Sequence, residues 1–399
     1  MKVLHFADFH LGISSDGRVD TKTMLNERVL DYLDSLDSLI EYAKENNADI
    51  ALFAGDAFNK PNPEMSYIRE FGDRIIKLAE ICPVVLLVGN HDMPGIIEKA
   101  SPIDLFGVMR VPNVYVGWTY EVLKIATESG DIQIATVPYP TRRQLLPRGS
   151  REELKDVVHN IIKGLAKEID TSIPSVLLGH FTVEGSVYKP DMSVMSDKDA
   201  EVDKEDLLKP WDYVALGHLH LHQCINDYPP IVYAGSLDRV TFNDEKDNKG
   251  FVWVDINGEV NWEFIQVDAR SYKTLKFDFI KHPNKRPTDV IINKIQDKDL
   301  NGAIVRVLIN IEEEHAVRID VSHIGDALKS AGVFYVNQIH VNRVKAQSSI
   351  RLSDVPVATI PKIDLVDLYF QDIGVKNKDK SALLSLAKEI MGDVDASLV

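Results

Sequence analysis

The fold is decided by residues 84–92, Val84-Val-Leu-Leu-Val-Gly-Asn-His-Asp92. Val84 to Val88 are all aliphatic, and three of the five are β-branched. Such a short, unbroken apolar run predicts a strand covered on both faces. It stops at Gly89, a residue that lets the backbone turn sharply and pass close to a ligand. An amide, an imidazole and a carboxylate follow at once, as Asn90, His91 and Asp92. That places polar chemistry at the carboxyl edge of a sheet, where open α/β folds put their sites. A surface turn rich in Asn and Asp uses the same residues. Repetition separates the two readings, because the chain makes the same construction four more times.

Met1–Asp8 reads as the first strand and delivers Asp8-Phe9-His10. In extended backbone residues i and i+2 point the same way, so Asp8 and His10 are expected to converge. His5, in the same strand, reads as a packed histidine. Residues 24–47 carry Val29, Tyr32, Leu33, Leu36, Leu39, Ile40 and Ala43 at helical spacing, which predicts an amphipathic helix on the sheet. Asp49–Asp56 is the second strand, ending in Gly55-Asp56, and Glu64–Ile81 the second helix. Strand alternating with helix predicts an α/β layer. A short helical stretch runs from Ile96 to Met109. Its apolar residues and those of the second helix exceed what one sheet face covers, which fits a homodimer contact or an ordinary core face.

Strands are expected within 113–139, then a helix over Glu152–Ile169. Arg142, Arg143, Arg148 and Arg151 form the densest basic patch of this acidic region, and read as a solvated loop or as a phosphate contact. The fourth strand ends in Gly179-His180, and the fifth, Tyr213–His220, in His218-x-His220, again expected as a same-side pair. His222 reads as a solvated residue past the site. Residues 184–210 are polar and read as a mobile loop. Ile231–Leu237, Phe251–Asp255 and Val260–Val267 alternate as strands, with a hairpin signal at Asn257-Gly258.

Asp8, His10, Asp56, Asn90, His180, His218 and His220 all fall at predicted strand ends, expected on one sheet. Two carboxylates, one amide and four imidazoles suit two borderline divalent cations, Mn²⁺, Fe²⁺ or Zn²⁺ rather than a Ca²⁺ cage, with Asp56 as the bridging carboxylate. Such a pair holds a phosphate ester for in-line displacement.

Composition sets the frame. A chain of 399 residues, 45% hydrophobic, predicts two or three domains. No apolar run approaches the roughly 18 to 20 residues of a membrane span, and no N-terminal targeting signal is read. Two cysteines, Cys82 and Cys224, exclude a disulfide framework and point to a reducing cytoplasm. The net charge of −16 argues against nucleic-acid binding by bulk charge. It is uneven, at −17 over residues 1–270, +3 over 271–360 and −2 over 361–399. Near Ala269 the character changes to a smaller α+β pattern, followed by a stretch of linker composition and two terminal helix candidates.

Asp8-x-His10, Gly55-Asp56, Gly89-Asn90-His91-Asp92, Gly179-His180 and Gly217-His218-x-His220 resemble the five motifs of the calcineurin-like metallophosphoesterases. The tract Tyr233-Ala-Gly-Ser-Leu-Asp-Arg239, with Lys249-Gly-Phe251 and Arg270, resembles the SbcD-type nuclease subunits of DNA double-strand-break repair complexes. The resemblance implies an α/β metallophosphoesterase β-sandwich flanked by helices over 1–270. A DNA-capping domain (271–345), a linker (346–361) and a helical segment (362–399) that docks a partner would follow. It implies a Mn²⁺-dependent nuclease, 3′→5′ exonuclease on duplex ends and endonuclease on single strands, with Mg²⁺, Fe²⁺ or Zn²⁺ as other metals. Asp8, His10, Asp56 and His220 would hold one ion, and Asp56, Asn90, His180 and His218 the other. His91 would be no ligand but would protonate the leaving 3′ oxygen or stabilise charge on the phosphate. Asp92 would orient His91 or cap the turn. The implied partners are DNA, an SbcC-type coiled-coil ATPase and a second copy of the chain. One position departs from the pattern. Some members carry a second histidine where this chain has Asn59, which cannot act as a general acid, and this bears on the endonucleolytic activity. The alternative is a phosphodiesterase or phosphatase acting on a small or protein phosphoester.

Overall fold

The computed structural model describes residues 1–94, 100–147, 150–188, 200–344, 361–372, 375 and 377–396. β1 (Lys2–Phe6) leads to α1 (Glu27–Glu45), β2 (Ile50–Phe53), α2 (Met65–Ala79), β3 (Val84–Leu87), the short α3 (Asp104–Val108) and β4 (Val114–Gly117). The first part of the predicted Ile96–Met109 helix, residues 95–99, lies outside the described residues. The hairpin of β5 (Glu121–Thr127) and β6 (Gly130–Val137) follows, then α4 (Arg142–Leu145), α5 (Leu154–Ala166) and β7 (Ser175–His180). Two short paired strands come next, β8 (Thr182–Val183) and β9 (Glu201–Val202). They bracket residues 189–199 of the expected mobile loop, which lie outside the described residues. β10 (Tyr213–Gly217), β11 (Gln223–Asp227), β12 (Pro230–Tyr233), β13 (Gly250–Asn257) and β14 (Glu259–Gln266) complete the series.

These strands make two six-stranded sheets, not the single sheet expected at the site. The orders are β14-β13-β1-β2-β3-β4 and β11-β12-β10-β7-β6-β5. β1 to β4 run parallel, as do β6, β7, β10 and β12. Alternation along each strand then fills three cores. Leu4, Phe6, Phe53 and Leu86 pack outward with Val29, Leu36 and Leu39 of α1 and Phe71 and Ile75 of α2. Val3, Leu52, Val85 and Leu87 pack inward against Ile134, Val176, Leu178 and Ala215 of the second sheet. Leu177, Val214 and Leu216 face Val158 and Ile162 of α5. Both faces of β3 are therefore covered, which is why it reads as an unbroken apolar run. Each such Val, Leu or Ile contributes about 1.5–3 kcal/mol on full burial.

His5 is the polar exception in the inter-sheet layer. Its Nδ1 lies 3.0 Å from the Tyr213 hydroxyl and its Nε2 3.2 Å from the Leu216 carbonyl, to which it donates. Burial pushes its pKa down to about 3, so it is a neutral bridge between β1 and β10.

A buried charge network ties α1 to later segments of the chain. Arg28 donates to Asp31 at 2.9 Å and Asp238 at 2.7 Å, and lies over the Tyr32 and Tyr272 rings. Arg270 also pairs with Asp31, donates to the Gly302 carbonyl at 2.9 Å and stacks 3.7 Å from the Phe334 ring centre. Breaking a buried pair by removing one partner costs about 3–5 kcal/mol, a range that applies to Arg28–Asp238, both fully buried, while the part-buried Arg270–Asp31 pair contributes less.

Beyond it come β15 (Tyr272–Asp278), α6 (Pro287–Gln296), β16 (Ile304–Glu312), α7 (Val321–Ser330) and β17 (Tyr335–Val344). The three strands form one sheet in the order β15-β16-β17. α8 (Lys362–Asp372) and α9 (Asn377–Ala396) end the described chain. Of the expected linker, 346–360 lie outside the described residues. The chain divides into two compact units that do not follow it in blocks. The larger comprises Met1–Leu275, Ile295–Arg306 and Gly325–Gln338; the smaller comprises Lys276–Lys294, Val307–Ile324 and the residues from Ile339 on. Within the smaller unit the Thr288 hydroxyl donates to the Arg318 carbonyl and accepts from Asp320 N. In the tail Lys380 pairs with Asp367 at 2.8 Å.

Candidate metal centre

Asp8, His10, Asp56, Asn90 and His91 come from the loops after β1, β2 and β3. His180 ends β7, and His218 and His220 follow β10. The centre therefore lies where the two sheets present their carboxyl ends to one volume. The backbone there is unusual. Among the described residues eight non-glycine positions have positive φ, and four of them are Asp8 (51°), His10 (47°), Asp56 (61°) and His218 (89°). Such conformations cost on the order of 1–3 kcal/mol each and collect at functional sites. They also correct the expected reason for convergence. Asp8 and His10 are not successive same-side residues of a strand, because β1 ends at Phe6. The segment winds alongside the β2 loop instead, with Asp8 N donating to Gly55 O, His10 N to Asp56 O and Leu11 N to Ala57 O, at 2.9–3.0 Å. Nor are His218 and His220 a same-side pair, since the positive φ of His218 sends the two rings to different neighbours.

His220 Nε2 lies 2.9 Å from His10 Nε2. Two imidazole nitrogens that close share a proton or a cation. Asp8, His10 and His220 can offer atoms to one ion, and so can Asp8, Asp56 and His180, and His10, Asp56 and His91. The Asp56 carboxylate stands at the middle, with one oxygen 3.5 Å from His180 Nε2 and 3.6 Å from His10 Nε2. Asn90 Oδ1 lies 2.9 Å from both His180 Nε2 and His218 Nδ1. Asp8 Oδ2, His10 Nδ1 and His218 Nε2 are buried without a hydrogen-bond partner. Orphaned donor atoms around carboxylates and imidazoles are what divalent ions satisfy, so the residues present fit the metals.

Electrostatics agree. Burial pushes the pKa of His218 down to about 3 and of His220 to about 4, and that of His10 well below its usual range. These rings are neutral at pH 7 and keep lone pairs for a cation. Burial likewise lifts Asp8 to about 7 against the pull of His180. For Asp56 burial is overcome chiefly by His180, whose own pKa Asp56 and Asp8 lift against burial to about 9, and the Asp56 carboxylate stays ionised. His180 is fixed by the bond its Nδ1 donates to the Ala54 carbonyl at 2.6 Å, which turns Nε2 toward the centre.

His91 is set differently. Its Nδ1 donates to the Asn59 carbonyl at 3.0 Å, so Nε2 is the ring nitrogen left with a lone pair. Its amide donates to Asp56 at 2.8 Å. Asp92 makes no hydrogen bond to the His91 ring. Its buried carboxylate accepts from the amides of Asp56, Ala57, Phe58 and Gly89, and so clamps two ligand loops together. Gly89 is needed for closeness, not for a positive-φ turn: a Cβ there would lie 2.2 Å from Asp56 Oδ1.

Of two further residues at the centre, Tyr139 had no role in the sequence reading and Lys249 entered only through the resemblance carried by Lys249-Gly-Phe251. The Tyr139 ring packs against His218 and His180, with centroids 5.5 and 6.1 Å away; its place at the end of a predicted strand was the available signal. Lys249, 1% exposed, donates to the His220 carbonyl at 2.9 Å and to Ser236 Oγ at 2.8 Å. A lone lysine in a polar tract gives no sign of such burial. His222 is not the solvated residue expected: its ring stacks on Phe264 at 4.2 Å, and Nδ1 donates to Tyr233 O. Arg142 donates to the Ser150 carbonyl on the surface, and Arg148 lies outside the described residues.

The family model of the calcineurin-like phosphoesterases matches residues 1–222. Among solved structures, the chain is similar to TT1561 of Thermus thermophilus, at 12% identity and a TM-score of 0.37, over 66% of this chain and 98% of that one. It is also similar to a dimetal phosphatase from Danio rerio, at 11% identity and a TM-score of 0.39, over 66% and 98% respectively. Among the described residues no helix is long and apolar enough to cross a membrane.

Proposed function

Because the chain belongs to the calcineurin-like phosphoesterases, and so hydrolyses phosphoesters with divalent metal ions, we propose that its substrate is the phosphodiester backbone of DNA. The observation that carries this reading is the last third of the chain. A small ester needs neither the α+β strands and helices after Arg270 nor a terminal helix pair, and the charge changes from −17 before residue 271 to +3 over 271–360. A less acidic segment suits a polyanion that the catalytic part alone would repel. The tract Tyr233–Arg239, with Arg270, supports an SbcD-type nuclease subunit.

Asp8, His10, Asp56, Asn90, His180, His218 and His220 would hold divalent ions, Mn²⁺ by preference, which when bound would polarise the phosphoryl oxygens as Lewis acids. Water adds to phosphorus and gives up a proton to solvent, the bond to the 3′ oxygen breaks, and the protonated His91 ring gives that oxygen a proton from Nε2. The Asn59 carbonyl accepts from Nδ1, which leaves Nε2 to carry the second proton of the imidazolium that this step requires. Exposed Met65 and Ile76 on α2 with Leu105, Val108 and Met109 at α3 support a homodimer contact. Exposed Leu383, Leu386 and Ile390, on one face of α9, support docking on an SbcC-type ATPase.

The test is cleavage of a linear, end-labelled duplex with Mn²⁺ by the wild type and by His91→Ala, with a small phosphodiester in parallel. The wild type cuts the duplex. The variant loses on the order of 10²–10⁴-fold in rate with its metal content retained. Vigorous hydrolysis of the small ester with the duplex intact would overturn the reading in favour of a small-ester phosphodiesterase.

A further inference from the structure

The tract Tyr233–Arg239 and Lys249 supply no candidate metal ligand, yet they fold against the backbone that carries two of them. Ser236 pairs as a parallel bridge with Ala7, the residue before Asp8. Its amide donates to the His220 carbonyl at 3.2 Å, and Lys249 Nζ donates to the same carbonyl at 2.9 Å. Gly235, at a φ of 76°, lets the chain pass so close that a Cβ there would lie 3.0 Å from the His220 oxygen and 2.7 Å from His222 N. Two donors therefore grip the His220 peptide, and one of them is an ammonium group.

The grip matters because the His220 ring is not aimed in the usual way. A ligating histidine is ordinarily oriented by a bond to its second ring nitrogen. His180 has such a bond, from Nδ1 to the Ala54 carbonyl. Among the described residues no hydrogen-bond partner meets His220 Nδ1, while its Nε2 lies 2.9 Å from His10 Nε2. The aim of this ring must come from its backbone. Burying an ammonium for that purpose is costly unless the charge is paired. Lys249 is paired: its Nζ lies 3.5 Å from Asp244 Oδ1 and 3.6 Å from Asp247 Oδ2, and donates to Ser236 Oγ at 2.8 Å. Two carboxylates against one ammonium leave the cluster negative, so it does not oppose a cation beside it.

We propose that Lys249 is a positioning residue for one ion of the pair: by holding the His220 carbonyl it aims the His220 ring at the ion that Asp8, His10 and His220 would share. The ion at Asn90, His180 and His218 does not depend on it. The inference rests on the two-ion centre and not on the identity of the phosphoester.

The test is calorimetric titration of Mn²⁺ into the full chain freed of metal by a chelator. The wild type binds two ions. Lys249→Met, close to lysine in length but without a donor, binds one ion as the wild type does and the other about 10–100-fold more weakly. At the same Mn²⁺ concentration, spin resonance shows a coupled pair in the wild type and a single uncoupled ion in the variant, and excess Mn²⁺ restores the variant's phosphoesterase rate. In a His220→Ala background Lys249→Met has no further effect on the ion retained. Ser236→Ala removes the hydroxyl that anchors the ammonium and weakens the same ion, by a smaller factor. Val158→Ala, a cavity in the core under α5, lowers stability away from the centre and leaves both affinities unchanged. Lys249→Met with both ions at wild-type affinity, or with both weakened equally, would overturn the inference. If Lys249→Met does not fold, Ser236→Ala decides, and wild-type affinity for both ions there would overturn it. A wild type that takes up a single Mn²⁺ would overturn the two-ion centre itself.

Discussion

Asp92→Asn separates a clamp from a catalytic group. The wild-type carboxylate has no exposed surface. Its Oδ2 accepts from Asp56 N at 2.8 Å and Gly89 N at 3.1 Å, and its Oδ1 from Ala57 N at 2.9 Å and Phe58 N at 3.2 Å. Asparagine has the same shape but one acceptor oxygen. Whichever way the amide sits, its NH₂ faces two backbone donors. Two buried N–H groups lose their partner, at about 1–3 kcal/mol each, so the variant is destabilised by about 2–6 kcal/mol. The same loops carry Asp56, Asn90 and His91, so metal affinity falls with stability. Asp92→Ala strands all four amides and costs more. The assay is urea unfolding at pH 8, above the value of about 7 to which burial and Asp56 lift this group against its amide donors. Calorimetric titration of Mn²⁺ into the folded variant completes it. A variant that unfolds within about 0.5 kcal/mol of wild type, the range of neutral surface changes, refutes the reasoning. So does one that loses activity while keeping both stability and metal.

Three further outcomes are expected. Gly89→Ala drives a methyl group to 2.2 Å from Asp56 Oδ1, so the carboxylate must move and Mn²⁺ affinity measured by titration calorimetry drops at least tenfold; unaltered affinity would show that the loop yields without cost. Chelator removes phosphoesterase activity and lowers the unfolding temperature, while added Mn²⁺ restores both, by about 2.7 kcal/mol at a hundredfold excess over its dissociation constant; a melting curve indifferent to metal would count against the seven ligands. At Asp244 burial works to raise the pKa, but Lys249, His220 and the amides of Thr241 and Val240 hold it below the usual carboxylate value. A depressed folded pKa gives stability that is complete above about pH 4 and lost as pH falls through the folded value. Asp244→Asn should therefore flatten the acid limb of the stability curve, and an unchanged slope below pH 4 would contradict the assignment.

The strands that carry ligands were legible because each is covered on both faces and so appears as an apolar run. Val84–Val88, Val176–Leu178 and Tyr213–Leu216 all have this form. Which sheet each run joins was not legible. Pairing of β1 with β2 and of β10 with β7 is decided by contacts distant in sequence, and an apolar run looks the same in either sheet. β11 was missed for a related reason: Gln223–Asp227 is a half-exposed edge strand without strict alternation, and its pairing with β12 slips between Cys224 and Asn226. The spacing argument for Asp8 with His10 reached the right neighbourhood by the wrong geometry, because positive φ at both residues cannot be read from their types. His222 was misjudged because its cover, Phe264, comes from β14, far along the chain.

The centre itself left a trace in the sequence for a reason the structure supplies. Loops from two sheets bring seven candidate ligand side chains into one small volume, and at two places the backbone between them has no room for side chains of its own. At Gly89 a Cβ would strike Asp56, and at Gly217 it would lie 2.1 Å from the Ala54 carbonyl and 3.0 Å from His180 Nδ1. Glycine immediately before a ligand is therefore a record of crowding at these two motifs, and it is this pairing, repeated, that singled them out. Groups that act through the backbone leave no such record. The Asn59 and Ala54 carbonyls orient His91 and His180, yet any residue type offers a carbonyl. A sequence can therefore mark a candidate metal centre while staying silent on what orients His91. In this chain the Asn59 carbonyl fixes the His91 ring, and Asn59→Ala, which keeps that carbonyl, should leave the pH profile of the reaction unchanged.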